Sequence, residues 1–301
     1  MVPKECATFG KHVEALTQTE SGRMQIRFKD GSTAEADAVV GCDGIKSQVR
    51  LLLLGKDSLA ARAQFTGKYA YRGLIPMDKA VGLLGDELAR NSQMYFGYHG
   101  HMLTFPIERG KTMNVVAFKT SKTGKWEDER WVVPMKREEM EKDFEDWGQD
   151  VKSVLSLMEK TDLWALFDHP PAETYYRGRV CLLGDAAHAS TPHQGSGAAM
   201  ALEDAYVLSG LLGQVKEADG IEEAFSVYDA TRRGRTQKLV VTSREGGEMY
   251  ELENKDISDD VEKLRHNLDT RQRWIWDHDL EKDMAKAREM MERHAVRQGQ
   301  L

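Results

Sequence analysis

The chain has 301 residues, enough for one large or two ordinary domains with a sizeable core. Its formal net charge of −7 argues against nucleic acid or an anionic membrane as a main partner, and its 30% charged and 8% aromatic content is that of an ordinary soluble enzyme. The apolar run Leu51–Leu54 is far too short to span a bilayer, and the N-terminus shows no basic segment leading into an apolar one, so a cytoplasmic protein without a secretory signal is expected. Cys6, Cys42 and Cys181 lack metal-ligand spacing, and two of them lie in apolar runs, which predicts reduced, buried thiols.

In chain order, Val13–Leu16, Met24–Phe28 and Ala38–Val40 read as short strands separated by Gly- and Asp-containing turns. The last of these runs into the tight turn Asp43-Gly44, and Ser47 is placed to cap a following helix. From Gln64 to about Lys119 the texture is strand-like, including Tyr69–Pro76, Gln93–Gly97, His101–Ile107 and Thr112–Phe118. Thr120–Arg130 reads as a loop, and Lys136–Trp147 as an amphipathic helix with Met140 and Phe144 at spacing four. A second helix is expected over Val151–Met158 and a third, short one over Thr161–Phe167. His169-Pro170-Pro171 breaks the pattern, and His169 reads as a loop residue and not a catalyst.

Val180–Leu183 is a short apolar run bounded by turn residues and reads as a buried strand. Gly184-Asp185 ends it, a small-residue loop stiffened by Pro192 follows, and an Ala- and Leu-rich helix opens at Gly197-Ala198. This order suits a large anionic cofactor. Asp185 puts a carboxylate acceptor at a strand end, the helix start behind Gly195 and Gly197 offers N–H groups and a positive dipole end, and the glycines allow a planar ring to come close. Read alone, Gly-Asp is also a local cap. His188 and His193 share this loop without convincing metal spacing, so no metal site is expected. Glu203-Asp204 read as salt-bridging anchors. Ile221–Arg244 reads as a long helix whose basic segment Arg232–Arg235 is a solvated or ion-paired face, and the charged helical stretch 256–301 takes Leu264, Leu268, Trp274 and Trp276 as packing anchors.

The run from Gly184 to Ala199 resembles the second flavin-binding motif of single-component FAD-dependent aromatic hydroxylases, and the chain as a whole is similar to fungal salicylate hydroxylase-like monooxygenases. The resemblance implies an α/β fold: an incomplete Rossmann-like FAD-binding domain, an antiparallel-sheet substrate domain roofing the flavin, and a C-terminal helical region. It places FAD-binding segments at 1–60 and 172–215, the substrate sheet at 61–171 and the helical region at 216–301. It implies FAD, with Asp185 on the ribityl chain, Pro192 by the isoalloxazine, and Gly184, Gly195, Gly197 and Ala198 around the helix start that faces the ring. It also implies that Asp43-Gly44, in the run to Arg50, lies near the flavin pyrophosphate and serves the use of NADH or NADPH.

On the substrate side the resemblance assigns Arg72, in Tyr71-Arg72-Gly73, to a substrate carboxylate or phenolate; a surface arginine on a strand is the alternative. His101 and Phe105 match a His, three residues, Tyr, Pro pattern with Phe in place of Tyr. His101 is then a group that takes or holds a phenol proton, against a structural histidine, while Phe105 can pack on a ring but cannot donate a hydrogen bond. The implied reaction is hydroxylation of a small phenolic acid such as salicylate by O2 through a flavin C4a-hydroperoxide. The family's opening Gly-x-Gly-x-x-Gly strand–turn–helix has no match here. A truncated gene model or fragment is the first expectation and a reduced natural form the second. The rival functions are a same-fold flavin hydroxylase or epoxidase with another substrate, and a catalytically silent fragment that associates with a partner.

Overall fold

The computed structural model describes residues 3–297. In chain order its principal elements are β1 (Val13–Gln18), β2 (Met24–Phe28), β3 (Thr33–Ala36), β4 (Val39–Gly41), α1 (Gln48–Leu54), β5 (Gln64–Pro76), α2 (Met77–Leu84), α3 (Asp86–Arg90), β6 (Gln93–Gly97), β7 (Gly100–Ile107), β8 (Thr112–Thr120) and β9 (Val132–Pro134). There follow α4 (Arg137–Asp143), α5 (Gln149–Ser156), β10 (Glu159–Asp168), β11 (Tyr176–Arg177), β12 (Val180–Leu182), α6 (Asp185–His188), α7 (Gly197–Leu212), α8 (Ile221–Tyr250), α9 (Val261–Thr270), α10 (Arg273–Trp276) and α11 (Leu280–Arg297). Among the described residues no helix is long and apolar enough to cross a membrane.

The chain forms two compact units. The first takes the segments up to Gln64, Asp168–Ser243 and from Arg273 onward; the second takes Phe65–Phe167 and Arg244–Gln272. Within 216–297, residues 216–243 and 273–297 thus belong to the first unit and 244–272 to the second.

In the first unit β12 lies between β11 and β4 and runs parallel to β4, with Val180 opposite Val39 and Leu182 opposite Gly41. All three residues of β12 are buried, which is why that segment is a continuous apolar run and not an alternating one. The core gathers Val49 and Leu53 of α1, Leu182 of β12, Val207 and Leu211 of α7, and Phe225 and Tyr228 of α8. β1, β2 and β3 form a separate antiparallel sheet. α11 seats Met284 and Ala287 in the core. Those residues and Ile275 anchor the C-terminal helices, and the expected Trp274 packs against Met200, Leu239 and Ile275, whereas the expected Trp276 is 70% exposed and Leu268 38%. Cys181 is buried as expected, but Cys42 lies just past the end of β4 and is exposed, as is Cys6; all three are free thiols.

The second unit is built on a six-stranded sheet ordered β6-β7-β8-β5-β10-β9. One face carries Tyr71, Ile75, Met102, Met113 and Ala117 against Ala80, Met140, Phe144, Val154 and Leu155 of the helices. Side chains alternate along a strand, so the even positions of β5 and β8 and the odd positions of β7 occupy the other face. The expected strands are present, with α2 and α3 interrupting them. The expected helix over Thr161–Phe167 is instead strand β10, paired through Asp162, Leu163 and Trp164 with β9. Leu163 packs into the helix-covered face while Leu166 joins Ala70, Val116 and Phe118 in a cluster on the other. A segment this short satisfies both faces as a strand, and sheet pairing overrides the helix preference of its Leu and Ala residues.

Candidate functional site

In the first unit the geometry turns on Gly184. Its φ of 63° and ψ of −140° are open to glycine and costly for other residues, and a Cβ there would stand 3.1 Å from the Cβ of Ala201. This conformation ends β12 and starts α6, with the Gly184 carbonyl accepting from Ala187 and His188 N–H at 2.8 and 3.0 Å. Asp185, first in α6, is exposed. The loop then makes a short 3-10 turn, Pro192–Gln194, closed by Gly195 in the left-handed region (φ 61°, ψ 15°). Ser196 turns its hydroxyl back to the Gln194 carbonyl at 2.9 Å, so no side chain caps α7. A Cβ built on Gly197 would meet nothing closer than Ser190 Oγ at 3.7 Å, so internal packing does not demand glycine there. Gly197 and the exposed Ala198 leave the helix start open to an approaching ring.

Behind this surface lies a buried ionic network. Asp204, on α7, is fully buried and accepts from Gly184 N–H at 3.2 Å, from Arg232 Nε at 2.8 Å, and shares a 2.5 Å hydrogen bond with His188 Nε2. Burial raises its proton affinity, but the His188 bond and the Arg232 charge outweigh that and hold the carboxyl below its usual range. Arg232 also binds Glu203, which takes two further bonds from Arg235. The basic segment of α8 is therefore ion-paired: Arg232 and Arg235 with Glu203 and Asp204, and Arg233 with Asp229. A second interior cation, Arg50, donates to the carbonyls of Ala60 (2.7 Å), Pro170 (3.0 Å), Ala186 (3.0 Å) and Ala187 (2.5 Å). Burial pulls its pKa down to about 10, which leaves it charged at neutral pH. Ser47 caps α1 as expected, its Oγ accepting from Arg50 N–H at 2.8 Å. Asp43 joins that cap, accepting from Ser47 Oγ and from Gln48 and Val49 N–H; Gly44 follows it with φ of 75°. His169 is buried with its pKa pushed to about 3, by burial and then by the nearby Arg50 charge.

In the second unit, strand register sets His101 opposite Phe118, Phe105 opposite Asn114 and Arg72 opposite Val116. Arg72, His101 and Phe105 therefore share the sheet face opposite α2, α4 and α5, where His101 meets Tyr250 at the end of α8. Arg72 is half-buried and lays its guanidinium over the Trp164 ring, 4.5 Å from the centroid. Phe105 packs against the Ala70–Val116–Phe118–Leu166 cluster. His101 is buried, stacks on Phe118 at 4.2 Å and 5°, and shares a 3.2 Å hydrogen bond through Nδ1 with Glu251. Burial pushes its pKa down, against the opposing pull of Glu251. The other oxygen of Glu251 accepts from Lys68 at 2.5 Å and Thr120 at 2.6 Å. Lys68 and Glu251 lie 183 residues apart, and no local pattern announces the pair. Arg50 and Asp204 carry faint signals, a cation and an acid inside apolar helices.

The Gly184–Asp185 turn, the left-handed Gly195 and the unfilled start of α7 fit the ribityl and ring portion of FAD. A profile of the FAD binding domain matches residues 6–243. The chain is 41% identical over 285 residues to 6-methylsalicylate 1-monooxygenase of Aspergillus terreus, covering 94% of this chain and 64% of that protein. It is 39% identical to a salicylate hydroxylase of Pseudomonas putida, covering 95% and 68%. A solved salicylate hydroxylase substrate complex matches with a TM-score of 0.86 at 42% identity, over 92% of this chain and 70% of that one. Klebsiella pneumoniae HpxO, solved with FAD and uric acid, shares the fold at 24% identity and a TM-score of 0.70, over 96% and 68%. The chain thus spans about two thirds of the length of the relatives it matches. It belongs to the FAD binding domain family, among FAD-dependent monooxygenases of the salicylate hydroxylase type.

Proposed function

We propose that the chain works as a FAD-dependent monooxygenase that hydroxylates a phenolic aromatic acid such as salicylate, using O2 and NADH or NADPH. The observation that carries this reading is the exposed Asp185 behind a glycine-only turn, beside a helix start that no side chain caps. Asp185 would hold ribityl hydroxyls; Gly184, Pro192, Gly195, Gly197 and Ala198 would line the ring, and Asp43-Gly44 would lie toward the pyrophosphate and the pyridine nucleotide. FAD, once reduced, supplies the activation of O2. The N-terminal end of α7 favours negative charge placed against it.

On the sheet, Arg72 binds the substrate carboxylate. Its face is occupied by Trp164, and its N–H groups lie in the guanidinium plane, where a carboxylate accepts them. Phe105 packs the aromatic ring. His101, kept neutral by burial, takes the phenol proton: the O–H bond breaks, an N–H bond forms, and the electron pair stays on oxygen to enrich the ring. With salicylate, one O2, one NAD(P)H and two protons give catechol, CO2, water and NAD(P)⁺.

The test is the full chain with added FAD, assayed for NADH and NADPH oxidation and for product across a panel of phenols. Salicylate-class acids are expected to give nucleotide oxidation matched by hydroxylated product, and R72A to raise KM by at least about tenfold. A chain that takes up stoichiometric FAD and hydroxylates no phenol in the panel overturns the proposal.

A further inference from the structure

We infer that Glu251 is a positioning residue that holds His101 as its Nδ1–H tautomer, so that Nε2 carries the lone pair that receives the phenol proton. This rests on the reading of His101 as proton acceptor given above. The geometry starts with donor counting. Glu251 Oε2 accepts from Lys68 Nζ at 2.5 Å and Thr120 Oγ1 at 2.6 Å, and Oε1 lies 3.2 Å from His101 Nδ1. An ionised carboxylate only accepts, so the hydrogen on that contact belongs to Nδ1. Burial favours the protonated acid, but the hydrogen bond from His101 and the charge and hydrogen bond of Lys68 prevail and keep the Glu251 pKa at about 2. Glu251 is fully buried, and its surroundings keep it ionised across the neutral range.

Lys68 does not account for Glu251 by itself. Its ammonium is shared with Glu253 at 2.8 Å, which leaves two carboxylates on one cation and negative charge to spare for the imidazole. The ring has little freedom, stacked on Phe118 and tilted against Tyr250 at 5.4 Å. The backbone is equally fixed. α8 ends with Leu252 N–H on the Met249 carbonyl and Glu253 N–H on the Glu248 carbonyl, with Leu252 at φ 55°, a conformation usually left to glycine. His99 N–H holds the Glu251 carbonyl at 3.0 Å. A strained non-glycine turn persists where its surroundings over-determine it, and here it delivers Glu251 and Glu253 to Lys68. When Nε2 takes the proton, the cation that forms faces a carboxylate already in place.

The experiment uses the full chain labelled with ¹⁵N-histidine, with His101 assigned by its loss in H101N. Long-range ¹H–¹⁵N spectra at neutral pH are expected to show His101 protonated at Nδ1, the reverse of the tautomer free histidine favours. In the FAD-loaded chain, E251Q is expected to lower kcat about 10²-fold with flavin content and KM near wild type, and E251D to recover part of the loss. A wild-type spectrum with the proton on Nε2 overturns the inference and needs no variant to fold. So does an E251Q chain with wild-type kcat where H101N has lost it. An Nδ1–H spectrum together with an unimpaired H101N upholds the hold of Glu251 on the ring and removes the proton-accepting role of His101.

Discussion

Each unit contains a buried carboxylate that grips one histidine and one cation, and the two are wired differently. Asp204 binds His188 through Nε2 and adds the Gly184 N–H, and its cation is Arg232, a planar donor spread over Asp204 and Glu203 with Asp283 at 3.8 Å. Glu251 binds His101 through Nδ1, and its cation is Lys68, a compact charge shared with Glu253 and Thr120. An arginine fork braces several elements in fixed directions, whereas a lysine balances charge with little directional demand. The first arrangement holds the backbone of the Gly184 turn; the second holds one imidazole through its Nδ1. Similar parts brace the backbone in one unit and grip one buried imidazole in the other.

The largest effect should come from breaking the brace. D204A leaves Arg232 short of a partner and the Gly184 N–H and His188 Nε2 without theirs, and should cost about 4 kcal/mol, measured by urea unfolding with FAD absent. An Asp204 variant with native stability would reduce that network to ornament. K68M should cost somewhat less, about 3 kcal/mol, because Thr120 and His101 still serve Glu251. Its pH dependence sharpens the contrast. A carboxyl group held lower in the folded than in the unfolded chain stabilises above the unfolded pKa and loses that contribution as pH falls through the folded one. For Glu251 the window runs from 4.5 down to about 2. The K68M deficit should therefore be full at pH 7 and shrink as pH drops through that window; a deficit constant from pH 7 to 3 would mean that Lys68 packs and does not pair. The smallest effect should be S47A, at about 1 kcal/mol, since it removes a local helix cap and no buried charge partner.

Much of the backbone from Gly184 to Gly197 was legible in the residues. Gly184 and Gly195 stand where the backbone needs positive φ, and Ser47 stands where α1 needs an acceptor, because these are demands a few neighbouring residues express. The strands carrying Arg72, His101 and Phe105 were legible from alternation, which also fixes their shared face. The ionic networks were not. Arg50 reaches carbonyls more than a hundred residues away, and Lys68 meets Glu251 across most of the chain, so neither leaves a local period to read. Thr161–Phe167 misled for a related reason: its neighbours in the sheet, and not its own composition, decide its conformation.

The guanidinium of Arg50 has one more consequence. It leaves α1 just behind the Asp43–Ser47 cap and ends on the carbonyls of Ala186 and Ala187, immediately after Gly184-Asp185. The Asp43–Ser47 turn and the Gly184–Ala187 turn are thus anchored to a single buried cation. Loosening either turn would leave the buried guanidinium short of acceptors, so the two are expected to open together and not as independent loops.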